Sequence, residues 1–68
     1  MREWLISIRK RALLTQADVA HKAGISQPSY NAIEQGKCDP KPGTAMKIAG
    51  VLDFPWTRFY EEDREAEA

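Results

Sequence analysis

The apolar positions of the chain recur with the spacing of α-helices rather than of β-strands. The clearest series follows the i, i+3, i+4, i+7 pattern of a helix with one buried face and comprises Ala45, Ile48, Ala49 and Leu52. A second series, near the N-terminus, comprises Trp4, Leu5, Ile8 and Ala12. Because no stretch alternates apolar with polar residues and is also rich in β-branched side chains, the pattern predicts an all-α fold.

Two shorter helices are predicted between these two series. The first of them is expected from about Gln16 to Ala23, because Thr15 offers an N-capping hydroxyl and Asp18, three residues later, completes an acidic form of the capping box. Small side chains should form its buried face and let another helix approach closely. These side chains are Ala17, Val19, Ala20 and Ala23.

A sharp turn is predicted at Gly24, since glycine readily adopts the left-handed conformation that ends a helix. A third helix should follow from about Gln27 to Gln35, with Ser26 as its N-cap and Gly36 as its stop. Two side chains of this helix are expected to face inward, Tyr30 and Ile33, with the Tyr30 hydroxyl at the surface. Its outer side is then left to Gln27, Pro28, Asn31 and Ala32.

The remaining chain is expected to complete a compact five-helix bundle over residues 1–60. A loop is predicted over residues 37–43, after which Thr44 can cap the fourth helix, and Asp53 should take a strained conformation at its end. Pro55 should open a short fifth helix. The inward side chains of this last part are Phe54, Trp56, Phe59 and Tyr60. Residues 61–68 carry five acids and are predicted to form a flexible tail.

Two short helices that meet tightly at Gly24 have the geometry of a helix-turn-helix. The small side chains hold the first helix close to the bundle, and the second helix stands out as a ridge. A ridge of this width fits the major groove of DNA, which is about 12 Å wide, and its N-terminal residues reach the base edges first. The pattern therefore predicts an interaction with double-stranded DNA.

The charge distribution agrees with a nucleic-acid partner, although the formal net charge is +0. Residues 1–47 hold eight Lys and Arg against four Asp and Glu, whereas residues 48–68 hold two against six. A locally positive field attracts a polyanion even when the total charge is zero. Such asymmetry is common in short chains, so it favours nucleic-acid binding only modestly.

Residues that carry other kinds of chemistry are scarce in the chain. The single histidine, His21, and the single cysteine, Cys38, have no partners at metal-ligand spacing, and no phosphate-binding loop or nucleophile elbow is present. We therefore expect no enzymatic activity, cofactor, metal site or small-molecule ligand. No apolar run approaches the roughly 20 residues that span a bilayer, and the first residues lack a signal-peptide pattern, so no membrane association and a cytoplasmic location are expected.

Three segments in this order resemble a known family. They are Leu-Thr-Gln-Ala-Asp-Val-Ala at residues 14–20, Ala-Gly-Ile-Ser at residues 23–26 and Tyr-Asn-Ala-Ile-Glu-Gln-Gly-Lys at residues 30–37. The chain resembles the Cro/CI-type (XRE) helix-turn-helix of phage repressors and bacterial regulators over about residues 3–60. The resemblance implies a lambda-repressor-like DNA-binding domain that binds operator DNA as a homodimer.

The resemblance also implies roles for individual residues. The side chains implied to read bases are Gln27, Pro28, Asn31 and Ala32. Those implied to contact phosphates are Gln16, Ser26, Ser29, Lys37, Lys41 and Thr44. Arg9 in the first helix and Glu34 near the end of the third are implied to form a structural ion pair.

Two positions depart from the family pattern, because Pro28 and Ala32 stand where polar residues are common. Only Gln27 and Asn31 are then able to hydrogen-bond base edges, and Gln27 has the geometry for bidentate recognition of adenine. Pro28 and Ala32 are suited instead to contact with a thymine methyl group. We expect modest direct readout, supplemented by recognition of DNA shape.

The sequence therefore predicts a sequence-specific DNA-binding transcriptional regulator that acts as a repressor or autoregulator. Two alternatives stay open. An antitoxin or a restriction–modification controller protein can use the same domain. A protein-interaction module can keep this fold without binding DNA, and the acidic tail favours that alternative slightly.

Overall fold

Helices form most of the backbone over residues 1–61, the part of the chain that this computed structural model describes. The four longer helices are α1 (Glu3–Arg11), α2 (Gln16–Ala23), α3 (Gln27–Glu34) and α4 (Pro42–Leu52). A fifth helical segment, α5, occupies residues 58–61. No strand occurs in the described range, and the predicted all-α fold with five helices is confirmed. Apart from Glu61, the predicted acidic tail lies outside the described residues.

The ends of α2 are determined by its local sequence. The Thr15 hydroxyl accepts the backbone N–H of Asp18 at 3.0 Å, and the Asp18 carboxylate accepts the backbone N–H of Thr15 at 2.9 Å. The backbone N–H of Thr15 is the main cause that holds the pKa of Asp18 below its usual value, followed by the Thr15 side chain. At the other end Gly24 has φ 71° and ψ 31°, a left-handed conformation that a residue without Cβ adopts at little cost. Both predicted boundaries are confirmed.

The core takes side chains from every helix. Its buried members are Leu5, Val19, Ala20, Ala23, Tyr30, Ile33, Ala45, Ile48, Leu52 and Phe59. Because α2 contributes only Val and Ala, it lies close to both α3 and α4. The predicted apolar stripe of α4 is buried throughout. The tight approach of α2 to its two neighbours leaves α3 at the edge of the bundle rather than inside it.

Three details of the predicted packing are wrong. Ala12 is exposed because α1 ends at Arg11. Ala17 is exposed because it falls outside the buried face of α2, which is formed by Val19, Ala20 and Ala23. Thr44 does not cap α4, because that helix begins two residues earlier at Pro42. Proline at the first helical position has its φ already fixed near the helical value and lacks the N–H that a cap would satisfy. The N-cap position falls on Lys41, whose side chain makes no capping hydrogen bond.

An aromatic cluster closes the bundle where the chain returns to α1. Trp4, Phe54 and Phe59 contact each other edge to face, with ring centroids 5.3–5.5 Å apart. This is a favoured arrangement for aromatic rings. The inward direction predicted for the aromatic residues of the last segment is confirmed, although α5 begins three residues later than Pro55. The cluster anchors α5 beside the first turn of α1.

Among residues 1–61, two non-glycine residues have left-handed backbone conformations, and both follow a helix. Asp53 ends α4 with φ 60° and ψ 60°, as predicted. Leu13, in the turn after α1, has φ 61° and is 90% exposed, so its side chain gains little from packing. For L-residues this conformation costs about 1–2 kcal/mol.

None of the helices in residues 1–61 has the length and apolar character of a membrane-spanning segment.

Replacing Leu13 with glycine should stabilise the domain, because it removes the left-handed strain without removing a buried side chain. We expect a gain of about 0.5–1 kcal/mol after the extra freedom of glycine in the unfolded chain is subtracted. The midpoint of thermal unfolding should rise by roughly 2–8 °C. Leu13→Ala is the matched control, since alanine keeps the Cβ and should leave the midpoint nearly unchanged. A loss of stability in both variants would show that the leucine side chain makes a stabilising contact.

Candidate nucleic-acid interface

The two sides of α3 differ in exposure. Its inward side chains, Tyr30, Ile33 and Glu34, are each at most 3% exposed. At its N-terminus Gln27, Pro28 and Ser29 are exposed, and one turn later Asn31 and Ala32 are half-buried. The four side chains implied to read bases therefore share the outer side of α3.

A short hydrogen-bond relay determines the N-terminus of α3. The Ser26 hydroxyl accepts the backbone N–H of Ser29 at 3.3 Å and donates its own hydrogen to the Ser29 hydroxyl at 2.8 Å. Pro28 lies in the first turn, where a missing N–H has no cost. The first turn is therefore capped in the free protein. The Ser29 hydroxyl, exposed at the end of the relay, retains its hydrogen for an external acceptor.

Asn31 is the least accessible of the polar base-reading candidates. Its Oδ1 atom is buried and accepts no hydrogen bond from the described residues. The other polar atom of this side chain is the amide nitrogen, which can only donate. Asn31 is therefore suited to base atoms that accept a hydrogen bond, whereas exposed Gln27 offers both a donor and an acceptor.

The carboxylate of Glu34 joins three helices on the inner side of α3. Arg9 in α1 approaches it in bidentate fashion, with Nε 2.8 Å from Oε2 and a terminal nitrogen 3.1 Å from Oε1. Gln16 at the start of α2 donates its Nε2 to Oε1 at 3.0 Å. The same Arg9 also donates to the carbonyl of Leu14 at 3.0 Å, which ties it to the turn before α2. The Arg9–Glu34 pair is present as expected.

Electrostatics favour the ionised form of both partners of this pair. Burial raises the pKa of Glu34, but the hydrogen bonds from Arg9 and Gln16, together with the nearby Tyr30 hydroxyl, outweigh burial and bring the pKa below its usual value. The hydrogen bond to Glu34 likewise raises the pKa of Arg9. Both shifts favour the ionised pair near neutral pH.

Tyr30 differs from expectation in one respect, because its hydroxyl is buried rather than at the surface. The ring is fully buried, and the oxygen lies next to the Glu34 carboxylate. Burial and that carboxylate raise the pKa of Tyr30 well above its usual range. A buried hydroxyl is out of reach of a DNA phosphate, so Tyr30 is a core residue.

The remaining phosphate-contact candidates lie in the loop after α3, in the first turn of α4 and at the start of α2. Lys37 and Lys41 are exposed, and Thr44 in the first turn of α4 is half-buried. Gln16 is half-buried, and only one of its two amide hydrogens is donated to Glu34.

Among the described residues, no cluster of three or more His, Cys, Asp or Glu side chains is placed to hold a metal ion.

Comparison with known families gives a clear match. The family model described as Helix-turn-helix (HTH_3) matches residues 5–59. The chain belongs to this helix-turn-helix family. The match begins in α1 and ends in α5, so it includes all the elements that surround α3.

Curated relatives of this helix-turn-helix chain include the HTH-type transcriptional regulator YqaF of Bacillus subtilis, 39% identical over 62 residues, which are 91% of this chain and 82% of YqaF. The antitoxin HigA1 of Mycobacterium tuberculosis is 39% identical over 49 residues, 72% of this chain but only 33% of HigA1. YqaE of B. subtilis, also an HTH-type transcriptional regulator, is 41% identical over 75% of this chain and 44% of its own length. No solved structure matches the chain significantly.

Arg2, which no sequence pattern singles out, is only 4% exposed. Its guanidinium donates to the carbonyl of Ile33 at 2.5 Å and to that of Cys38 at 3.0 Å, and it pairs with Asp39. These partners lie 31 to 37 positions away in the sequence, so no local pattern reveals them. Arg2 is therefore a second buried charged residue of the helix-turn-helix domain, in addition to Glu34.

Replacing Glu34 with glutamine should destabilise the domain in a pH-dependent way. The amide keeps the shape of the side chain but leaves the Arg9 charge without its counter-ion, which should cost about 3 kcal/mol of unfolding free energy near pH 7. A carboxylate with a lowered folded pKa contributes stability above its unfolded pKa of about 4.3, and this contribution is lost as the pH falls through the folded value. The difference between the two proteins should therefore shrink below about pH 4.

Urea denaturation from pH 7 down to acid pH measures this difference. Glu61→Gln changes an exposed acid in the same way and should alter the unfolding free energy by less than about 0.5 kcal/mol. A Glu34→Gln deficit that stayed constant over the whole range would argue against the ion pair as its source.

Proposed function

We propose that this protein is a sequence-specific, double-stranded-DNA-binding transcriptional regulator that inserts α3 into the major groove. The main observation behind this proposal is that the inward side chains of α3 are buried, whereas its N-terminal turn is exposed to solvent. Helices that read DNA in this way contact base edges with their first residues. Membership in the helix-turn-helix family and relatives named as HTH-type transcriptional regulators support the proposal.

Base reading is assigned to the outer side of α3. Gln27 recognises a base edge with its amide, and adenine presents the matching donor and acceptor. Asn31 donates to an accepting base atom, in keeping with its buried Oδ1. Pro28 and Ala32 contact thymine methyl groups. With two hydrogen-bonding side chains, direct readout is modest, and DNA shape supplies part of the selectivity.

Phosphate contacts are assigned to residues that flank α3 on both sides. Gln16 uses its second amide hydrogen, since Glu34 holds the first and thereby orients the group. Ser26 donates its hydroxyl hydrogen to the Ser29 hydroxyl, which in turn donates its own hydrogen to a phosphate oxygen. The remaining contacts come from Lys37, Lys41 and Thr44. Charged and polar contacts of this kind supply most of the affinity and little of the specificity.

Regulation as a repressor or autoregulator follows from operator occupancy by a homodimer. A single α3 covers one half-site, so two copies related by two-fold symmetry read half-sites about 34–36 Å apart. Sedimentation of the free protein and of its DNA complex tests this stoichiometry. A complex with one copy per duplex would rule out the dimeric arrangement.

Selection of binding sites from random duplex DNA, followed by a salt series on the selected site, tests the function. Binding through Z phosphates predicts that log affinity falls linearly with log salt, with a slope of about −0.9Z. Enrichment of a two-fold symmetric site with a steep slope supports the proposal. Failure to enrich any site, together with a flat salt response, would instead support a protein-interaction module on this fold.

An antitoxin is the second candidate function, because HigA1 is 39% identical over 49 residues. These residues form a third of HigA1, so the likeness concerns the helix-turn-helix domain and leaves most of that relative unmatched. Coexpression of the chain with the product of the adjacent gene discriminates. A stable complex that relieves growth inhibition by that product indicates an antitoxin. If no such complex forms, the antitoxin role is excluded and the proposed role as a transcriptional regulator stands.

Replacing Gln27 with alanine should change which DNA sites are selected. Loss of the amide removes roughly 1–3 kcal/mol of discrimination at one base pair of each half-site, while phosphate contacts persist. Selection from the random pool with the variant measures the change. Gln35→Ala is the matched control, since Gln35 is exposed at the opposite end of α3. The same preferred base in the Gln27→Ala and unaltered proteins would exclude Gln27 as a base reader.

Replacing Lys41 with alanine should weaken binding to all duplexes by a similar factor. The slope of log affinity against log salt should become shallower by about one unit, because one phosphate contact is lost. Lys47→Ala removes an exposed lysine from the middle of α4 and serves as the control. A loss confined to one DNA sequence would contradict the phosphate role of Lys41.

A further inference from the structure

The segment between α3 and α4, residues 35–41, is called here the α3–α4 loop. It carries Lys37 and Lys41, two of the proposed phosphate contacts. Within the described part of the chain, residues 38–40 make no backbone-to-backbone hydrogen bond. Because exposed loops without such bonds sample many conformations, an ordered loop needs other contacts. The structure supplies these contacts from two distant side chains.

Arg2, just before α1, is the first of these side chains. Its guanidinium donates to the carbonyl of Cys38 at 3.0 Å and pairs with the carboxylate of Asp39. The same group donates to the carbonyl of Ile33 at 2.5 Å, so the loop and the last turn of α3 share one anchor. The backbone N–H of Arg2 also donates to the carbonyl of Glu34 at 2.8 Å. Both the main chain and the side chain of Arg2 are therefore held at the end of α3.

Tyr60 in α5 is the second side chain. Its hydroxyl donates to the carbonyl of Pro40 at 2.8 Å, and Pro40 itself is buried. The Tyr60 ring is held edge to face against Trp56, with centroids 5.8 Å apart. The centroid of the neighbouring Phe59 ring lies 5.7 Å from the Arg2 guanidinium carbon. The two anchors therefore contact the loop at consecutive residues and are supported by the same aromatic segment.

The anchors also affect the charge that the loop presents. Asp39 lies between the two lysines in sequence, and its side chain is 59% exposed. An unpaired carboxylate at this position would repel the phosphates that the lysines are proposed to contact. Pairing with Arg2 offsets that repulsion and fixes the direction of the carboxylate. The loop can then act as a cationic surface although it contains an acid.

We propose that Arg2 and Tyr60 are positioning residues for DNA binding, which hold the α3–α4 loop so that Lys37 and Lys41 face the phosphate backbone. This inference rests on the proposed function. Neither side chain needs to contact DNA. A loop that is ordered before binding loses less conformational entropy in the complex, so removal of an anchor weakens DNA binding even when the fold survives.

Tyr60→Phe is the sharpest test, because it removes one hydroxyl and keeps the ring. We expect affinity for a mixed-sequence duplex of about two helical turns to fall by roughly 3- to 10-fold, the size expected for one hydrogen bond. The salt slope should become shallower by up to about one. Arg2→Met keeps the apolar stem over Phe59 and should have the larger effect. Ile48→Val, a fully buried change in α4, is the control for reduced stability and should alter neither quantity well below its melting temperature.

The single cysteine of the chain gives a direct readout of loop order, because Cys38 lies in the loop and is exposed. A spin label attached there should be more mobile in Tyr60→Phe and Arg2→Met than in the unaltered protein, and unchanged in Ile48→Val. In addition, Tyr60→Phe combined with Lys41→Ala should lose less affinity than the product of the two single losses, since both act through the same contact.

The outcomes separate this inference from the proposed function. If the unaltered protein binds the duplex with a steep salt dependence but Tyr60→Phe binds equally well with the same slope, the positioning role is wrong and the proposed function stands. If neither the unaltered protein nor any variant binds DNA, the proposed function fails, and the DNA-positioning role fails with it. In that case, increased label mobility would show only that the two side chains order the loop.

Discussion

The hydrogen bonding of one buried carboxylate, Glu34, is the constraint on which the placement of α3 depends. A charge that is 2% exposed is tolerated only when strong partners surround it, because its lost hydration must be replaced. The donors come from Arg9 in α1 and Gln16 in α2. Few relative placements of three helices satisfy this geometry. Satisfying this one acid therefore restricts how α1, α2 and α3 pack together.

A second buried charge, Arg2, acts on the same end of α3. The two residues are joined there through the main chain, since the Arg2 backbone N–H donates to the carbonyl of Glu34. The core of this small domain contains several alanines, so apolar packing alone determines the arrangement of its helices only loosely. Buried polar contacts at the end of α3 add the missing geometric precision. They couple the helix proposed to read bases with the loop proposed to contact phosphates.

Family membership places this chain among proteins with different roles. The same helix-turn-helix domain occurs in relatives named as transcriptional regulators and in a relative named as an antitoxin. A fold supports many functions, and the residues on its surface decide among them. The distinguishing features of this chain are the weakly polar outer side of α3 and a loop whose acid is paired internally. Both features bear on how strongly DNA is held and how selectively it is read.

Much of the fold could be predicted from the sequence because the signals are local. The capping box at Thr15 lies within one helical turn, and the left-handed turn at Gly24 depends on the conformational freedom of one residue. The buried stripe of α4 follows from its 3.6-residue period. The start of α4 was misplaced because two capping signals competed, and the proline at the first helical position prevailed over the threonine hydroxyl.

The sequence by itself thus determined the helices, their order and the outer side of α3. The tertiary structure decided which polar groups meet. The sequence predicts the Tyr30 hydroxyl at the surface, but it is buried beside Glu34. A helical period gives the direction of a side chain, but it does not show how much of that side chain the rest of the protein covers. The contacts of Arg2 with Cys38 and Asp39 join residues more than 30 positions apart. Such contacts exist only after the core has brought distant segments together, so no local pattern encodes them.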